Sequence, residues 1–182
     1  MRIRKTAILL IISGITACTG ALDARDDVAV LHAVLEKACG NEATGPTLIS
    51  NIPATYRNYS LPPDWSRSPE YDRLLSRYGA RATHWDPGEI CQNARIVPKS
   101  EIDATFAEDI RVPPGWEKFY ATFNGAHGYF AYSRPIYSND GKHALVFSDW
   151  HCEGLCGMGM VLELERTHGH WRVLHVAGTW IS

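Results

Sequence analysis

From Gly128 onward the side chains alternate with a period of two, and this constrains the fold more than any other feature of the chain. Phe130, Tyr132, Arg134 and Ile136 alternate with Ala131, Ser133 and Tyr137. Successive side chains of a strand point to opposite faces, so the spacing predicts extended chain with a buried side. Asn139-Asp140-Gly141 is a hairpin signal of the Asp-Gly kind. Ala144 to Trp150 is a second strand, and Cys152 to Gly159 a glycine-rich turn. Val161 to Arg166 is a third strand, with Leu162 and Leu164 inward and Glu163 and Glu165 outward. His168-Gly169-His170 makes the next turn, and Trp171 to Trp180 the fourth strand. The pattern predicts a four-stranded antiparallel meander.

Upstream the pattern is helical and broken. Asp26 or Asp27 can cap a helix that runs to Cys39, with Gly40 as its stop. Val28, Leu31, Leu35 and Ala38 share one face of it. Residues 41–67 are rich in Pro, Asn, Ser and Tyr, and leave room for one short strand at Thr47–Ser50. Ser68-Pro69-Glu70 opens a helix that holds Tyr71, Leu74, Leu75 and Tyr78 and ends at Gly79. Residues 80–94 read as loop, with Asp86-Pro87-Gly88 as a turn, and Arg95–Val97 as a short strand. Ser100-Glu101-Ile102-Asp103 starts a short helix to Ala107. Pro113-Pro114-Gly115 opens another, with Trp116, Phe119, Tyr120 and Phe123 on its apolar side. The expected class is α+β: N-terminal helices packed on one face of the C-terminal four-stranded antiparallel meander.

The first residues address the chain to a compartment. Arg2, Arg4 and Lys5 precede the apolar run Ala7 to Ile12, and small residues then lead to Cys18. This is the plan of a secretory signal. Ser13, Gly14 and Thr16 interrupt the run, which falls short of the ~20 residues a membrane span needs. Ile15-Thr16-Ala17-Cys18 resembles the lipobox of bacterial lipoproteins. The resemblance implies a signal peptide at 1–17 and an acylated (palmitate-type) Cys18, which makes 18–25 a lipidated tether; the rest, 26–182, reads as a single globular domain. It places the chain in the bacterial cell envelope, held to the membrane through its lipid. Thr19, where such proteins carry Asp when kept at the inner membrane, implies the outer membrane, facing the periplasm. Removing the signal leaves 182 − 17 = 165 residues, enough to bury a core in one domain.

Of the five cysteines, lipidation of Cys18 leaves Cys39, Cys91, Cys152 and Cys156. An even number in an oxidising compartment reads as two disulfides, with three possible pairings. Cys152 and Cys156 flank a short loop centred on Gly154 and can meet, which leaves Cys39 with Cys91.

The C-terminal part carries a second resemblance. Ser133-Arg134-Pro135-Ile136-Tyr137, Asp140-Gly141-Lys142, Cys152-Glu153-Gly154-Leu155-Cys156-Gly157-Met158-Gly159, Trp171-Arg172-Val173 and Trp180-Ile181-Ser182 form its pattern. It resembles a group of uncharacterised exported bacterial proteins that end in this hairpin. The resemblance implies a fold and no reaction, so it carries over no catalytic residue.

Function classes can be weighed on the residues. Lys+Arg number 18 against 20 Asp+Glu, and the signal takes three of the basic residues. No basic stripe appears, so nucleic acid is not an expected partner. His151, Cys152 and Cys156 are soft donors for zinc or copper, but they lack the second ligand pair of such sites, and a disulfide competes for the sulfurs. Ser148, Asp149 and His151 lie close in sequence, but a triad is defined in space and no G-x-S-x-G elbow is present. Cys152 beside His151 could act as a thiolate only if unoxidised. Glu163 and Glu165 share one strand face, and with Glu108 and Asp109 they read as solvated acids rather than a glycan-hydrolysing pair. No catalytic residue and no cofactor is assigned, and an enzyme is not expected. The expected role is a structural or interaction module of the envelope. The alternative is a binding protein that holds a glycan, peptide or hydrophobic ligand in an aromatic-rich concavity, with Trp65, Trp85 and Trp150 as the rings to watch.

Overall fold

The computed structural model describes residues 19–39, 45–54, 87, 91–106, 113–138 and 140–182. The expected helix over 68–79, Trp65, Trp85, Glu108, Asp109 and Cys18 lie outside them. Helix α1 spans Thr19–Cys39 and starts ahead of the expected caps at Asp26 and Asp27. Strand β1 is Thr47–Ser50 and β2 is Ala94–Val97. Helix α2 is Lys99–Thr105 and α3 is Pro113–Thr122. Then come β3 (Tyr129–Tyr132), β4 (Ile136–Tyr137), β5 (His143–His151), β6 (Met158–Thr167) and β7 (His170–Ile181). Among the described helices none is long and apolar enough to cross a membrane.

The seven strands form one mixed sheet in the order β2-β1-β3-β5-β6-β7, with β4 beside β5. This corrects the expected four-stranded antiparallel meander. The antiparallel run is present, but β1 joins it by pairing parallel to β3 and to β2. All four residues of β1 are buried. Buried parallel strands carry no polar alternation, so nothing in Thr47–Ser50 announces a sheet neighbour more than eighty residues away in sequence.

The expected first strand of the meander is split. Pro135 has no N–H to give to a ladder, and the chain leaves the sheet at Ser133–Pro135 between β3 and β4. Ser133 takes over the pairing: its N–H donates to Phe147 O at 2.8 Å, and its Oγ accepts from Phe147 N at 2.9 Å. At the tip of the β4–β5 hairpin, Asp140 Oδ1 accepts from Ser138 Oγ at 2.6 Å and Lys142 N at 3.0 Å. These two donors, the Ser138 hydroxyl first, hold the Asp140 carboxyl below the usual carboxylate range. Gly141 takes φ +66° there, a left-handed conformation that costs glycine least.

Helices cover both faces, not one. Val30, Leu31, Val34 and Leu35 of α1 pack on Ile49, Tyr132, Val146, Leu162, Leu164 and Trp171. On the other face Ile102, Phe106, Phe119 and Phe123 of α2, α3 and their ends pack on Leu48, Val97 and Tyr129. Leu48 and Ile49 are adjacent in β1 and serve the two cores separately, as period two requires. Beside the second core, Leu145, Phe147, Val161 and Ala131 form a third cluster with Ala54 and Ile136.

A buried carboxylate fixes α1 to the sheet. Asp27 Oδ2 accepts from Arg134 Nε at 2.5 Å, and Oδ1 from Tyr137 Oη at 2.9 Å. Burial first, and then the Asp27 charge, pushes the Tyr137 hydroxyl above its ordinary pKa. Cys39 at the end of α1 is bonded to Cys91 (Cα–Cα 6.0 Å), and Cys152 to Cys156 (Cα–Cα 5.8 Å). Both separations are ordinary for disulfides, and both pairs are those expected from the sequence.

Candidate functional site

The face away from α1 carries a cleft of about 560 Å³ beside α2. Its floor and one wall come from alternate residues of neighbouring strands: Tyr129 and Ala131 of β3, Asp149 and His151 of β5, and Trp180 of β7. The rim is Ser50–Ala54, which follows β1, and Lys99, which opens α2. The rim is tied to itself, because Lys99 N donates to Asn51 Oδ1 at 2.7 Å. The Lys99 ammonium is held in an ion pair with Asp103.

Register explains how five side chains from three strands come together. Tyr129 lies opposite His151, and Ala131 opposite Asp149. Asp149 lies opposite Gly159, and Gly159 opposite Trp180. A row therefore runs Ala131, Asp149, Gly159, Trp180 across four strands. A Cβ built on Gly159 would fall inside the Trp180 indole, at Nε1 and Cδ1. Gly157, two residues earlier on the same face, would bring its Cβ to 3.3 Å from the far edge of that ring. The two glycines leave a bare strip at the start of β6, and the indole lies over it. From there Trp180 Nε1 donates to Asp149 Oδ1 at 2.9 Å.

The second row is aromatic. The Tyr129 and His151 rings stack at 4.7 Å with 20° between their planes. His151 is in turn 5.8 Å from Trp180. Gly128, at φ +144°, passes so close to the next strand that a Cβ would strike His151 O. The Tyr129 hydroxyl is pushed up to about 12, by burial first and then by the charges of Asp103 and Asp149.

The residues singled out in the sequence are distributed as follows. Ser148 is buried on the α1 face, in a cavity of about 290 Å³ with Tyr132, Phe130, Met160 and Leu162. Asp149 and His151 face the other way, so the three form no triad. Cys152 and Cys156 are bonded to each other, and His151 is stacked on Tyr129, so the alternative metal set is not assembled. Among the described residues no three His, Cys, Asp or Glu are grouped to hold an ion. Glu163 is not a solvated outer acid: its side chain is 13 % exposed, with Oε1 3.6 Å from His143 Nδ1. Glu165 is engaged by Arg172 at 2.8 Å, whose hydrogen bond holds it below the usual carboxylate range. Trp150 packs on Phe130 at 4.3 Å, away from the cleft.

Trp180, Tyr129 and Asp149 were not readable as a group from composition. The usable signal is Gly157-x-Gly159 at the entry to a strand, which leaves two side chains missing where a neighbour can fill the space. No protein-family model, curated protein or solved structure matches the chain, so the functional reading rests on the geometry of this cleft.

Proposed function

We propose that this chain is a lipid-anchored cell-envelope protein that binds a small ligand in the cleft over β3, β5 and β7. The observation that supports binding is the asymmetry of the two faces. The α1 face carries a packed core, a buried ion pair and a smaller cavity of about 290 Å³ whose lining is almost wholly apolar. The opposite face holds an open cleft of ordinary ligand-site size, with aromatic walls and a carboxylate on its floor. A structural module has no need of that opening. The anchor follows from the Ile15-Thr16-Ala17-Cys18 segment. An acylated Cys18 directly before α1 would hold the domain at the membrane surface.

One preparation tests both halves. Membrane-extracted protein should show a diacyl or triacyl mass on a chain starting at Cys18. In the same protein the Trp180 indole N–H resonance should move when the low-molecular-weight fraction of an envelope extract is added. An unmodified soluble chain overturns the anchor; an unmoved resonance overturns the binding.

A further inference from the structure

We infer that the ligand of this cleft is a saccharide, held by ring stacking on Trp180 and by hydroxyl donation to Asp149. The inference rests on the cleft being a binding site and adds the class of ligand.

The recognition surface combines two chemistries. Trp180 lies over Gly157 and Gly159, and its ring lines the cleft. A pyranose has an apolar C–H face that packs on such a ring and a rim of hydroxyls that do not. Asp149 stands at the end of the indole, where its carboxylate already accepts from Nε1. A carboxylate accepts from several donors at once, and sugar hydroxyls are donors. The hydrogen bond from Trp180 fixes both groups relative to each other before any ligand arrives, which lowers the ordering cost of binding. The small floor residue Ala131 and the rim residue Ala54 leave depth beside them for a ring.

Other ligand classes fit less well. An extended peptide would add to the edge strand β7, which leaves the Asp149 carboxylate, two strands inward on β5, without a contact to it. An acyl chain would strip water from the Asp149 carboxylate and offer it no hydrogen bond in return, which is costly. An anion would meet Asp149, and the rim cation Lys99 is tied to Asp103. A quaternary ammonium wants rings around one point, whereas Tyr129, His151 and Trp180 stand in a row, 4.7 and 5.8 Å apart.

The test is a titration of the native chain followed by the indole N–H resonances. The probes are chitotriose, cellotriose, trialanine, tetramethylammonium and 1-anilinonaphthalene-8-sulfonate. A trisaccharide should move the Trp180 resonance saturably and leave that of Trp171, which belongs to the α1 core, in place. Asp149→Asn, read on the Trp180 resonance, should weaken that binding about tenfold, and Trp180→Phe, read by calorimetric titration against the parent, by at least as much, with melts showing that both variants fold. If one variant fails to fold, the other carries the comparison. A Trp180 response to trialanine, tetramethylammonium or the naphthalene sulfonate without a response to either sugar overturns the saccharide and keeps the cleft. No response to any probe overturns the saccharide, and the cleft falls with it only if the envelope fraction is also silent.

Discussion

Trp180 donates its indole N–H to Asp149 Oδ1 across a strand that carries glycine at the crossing point. Donor and acceptor belong to β7 and β5, and β6 between them yields its side chain so that they can meet. That arrangement makes Gly159 the most sensitive position of the cleft.

Gly159→Ala should displace the indole, because the added methyl would occupy its place. Overpacking of this kind costs about 1–3 kcal/mol. A thermal melt reads the cost, and the Trp180 indole resonance reads the displacement. A variant with parent-like melt and resonance would show that the indole does not lie on β6.

Asp27 should be the most costly single polar position. It is 2 % exposed and satisfies both Arg134 and Tyr137. Removing one partner of a buried pair leaves an uncompensated charge and costs about 3–5 kcal/mol. Asp27→Ala should melt accordingly, and Asp27→Ala/Arg134→Met should recover part of the loss. No recovery in the double variant would mean that the pair contributes through packing alone.

The two disulfides should differ in weight. Cys39–Cys91 closes a sequence separation of 52, Cys152–Cys156 one of 4. In the chain-entropy account these correspond to about 4 and about 2 kcal/mol. Denaturant melts of the Cys39→Ala/Cys91→Ala and Cys152→Ala/Cys156→Ala pairs should show the larger loss in the first. The reverse order would place the small loop under the fold and not at its surface.

Alkaline pH should unfold the domain through its tyrosines. Tyr129 has its hydroxyl pushed from 10.0 to about 12, chiefly by burial. Tyr132 and Tyr137 move in the same direction for the same leading reason. A folded pKa above the unfolded one means that the native state holds its proton longer. The contribution is complete below pH 10 and is lost as pH rises toward 12. For Tyr129 alone it amounts to about 3 kcal/mol. Tyr129→Phe should flatten the fall in stability over that window. An unchanged slope would mean that the hydroxyl is hydrated.

Much of the fold was legible because its signals are local. Strand β1 matches its expected span end for end, and Leu162 and Leu164 are inward as their alternation requires. Trp171 is buried as its place in the meander implied. What was missed depends on contacts distant in sequence. The parallel pairing of β1, the covering of the second face by α2 and α3, and the turning of Glu163 toward His143 are set by neighbours that no local period reports. The cleft was missed for the same reason. Trp150 was among the rings to watch, yet β5 turns it to the α1 side, while Gly157 and Gly159 at the start of β6 leave room for Trp180 over the opposite face.

Recognition at the cleft is tested most directly by thermal melts of the parent and of Gly159→Ala, each with and without the low-molecular-weight fraction of an envelope extract. A ligand that binds only the folded state stabilises it, and each kcal/mol is worth roughly 2–4 °C in a domain of this size. The parent should gain several degrees and Gly159→Ala little or nothing. Equal gains in both would place the ligand elsewhere on the molecule, and no gain in the parent would contradict recognition at the cleft.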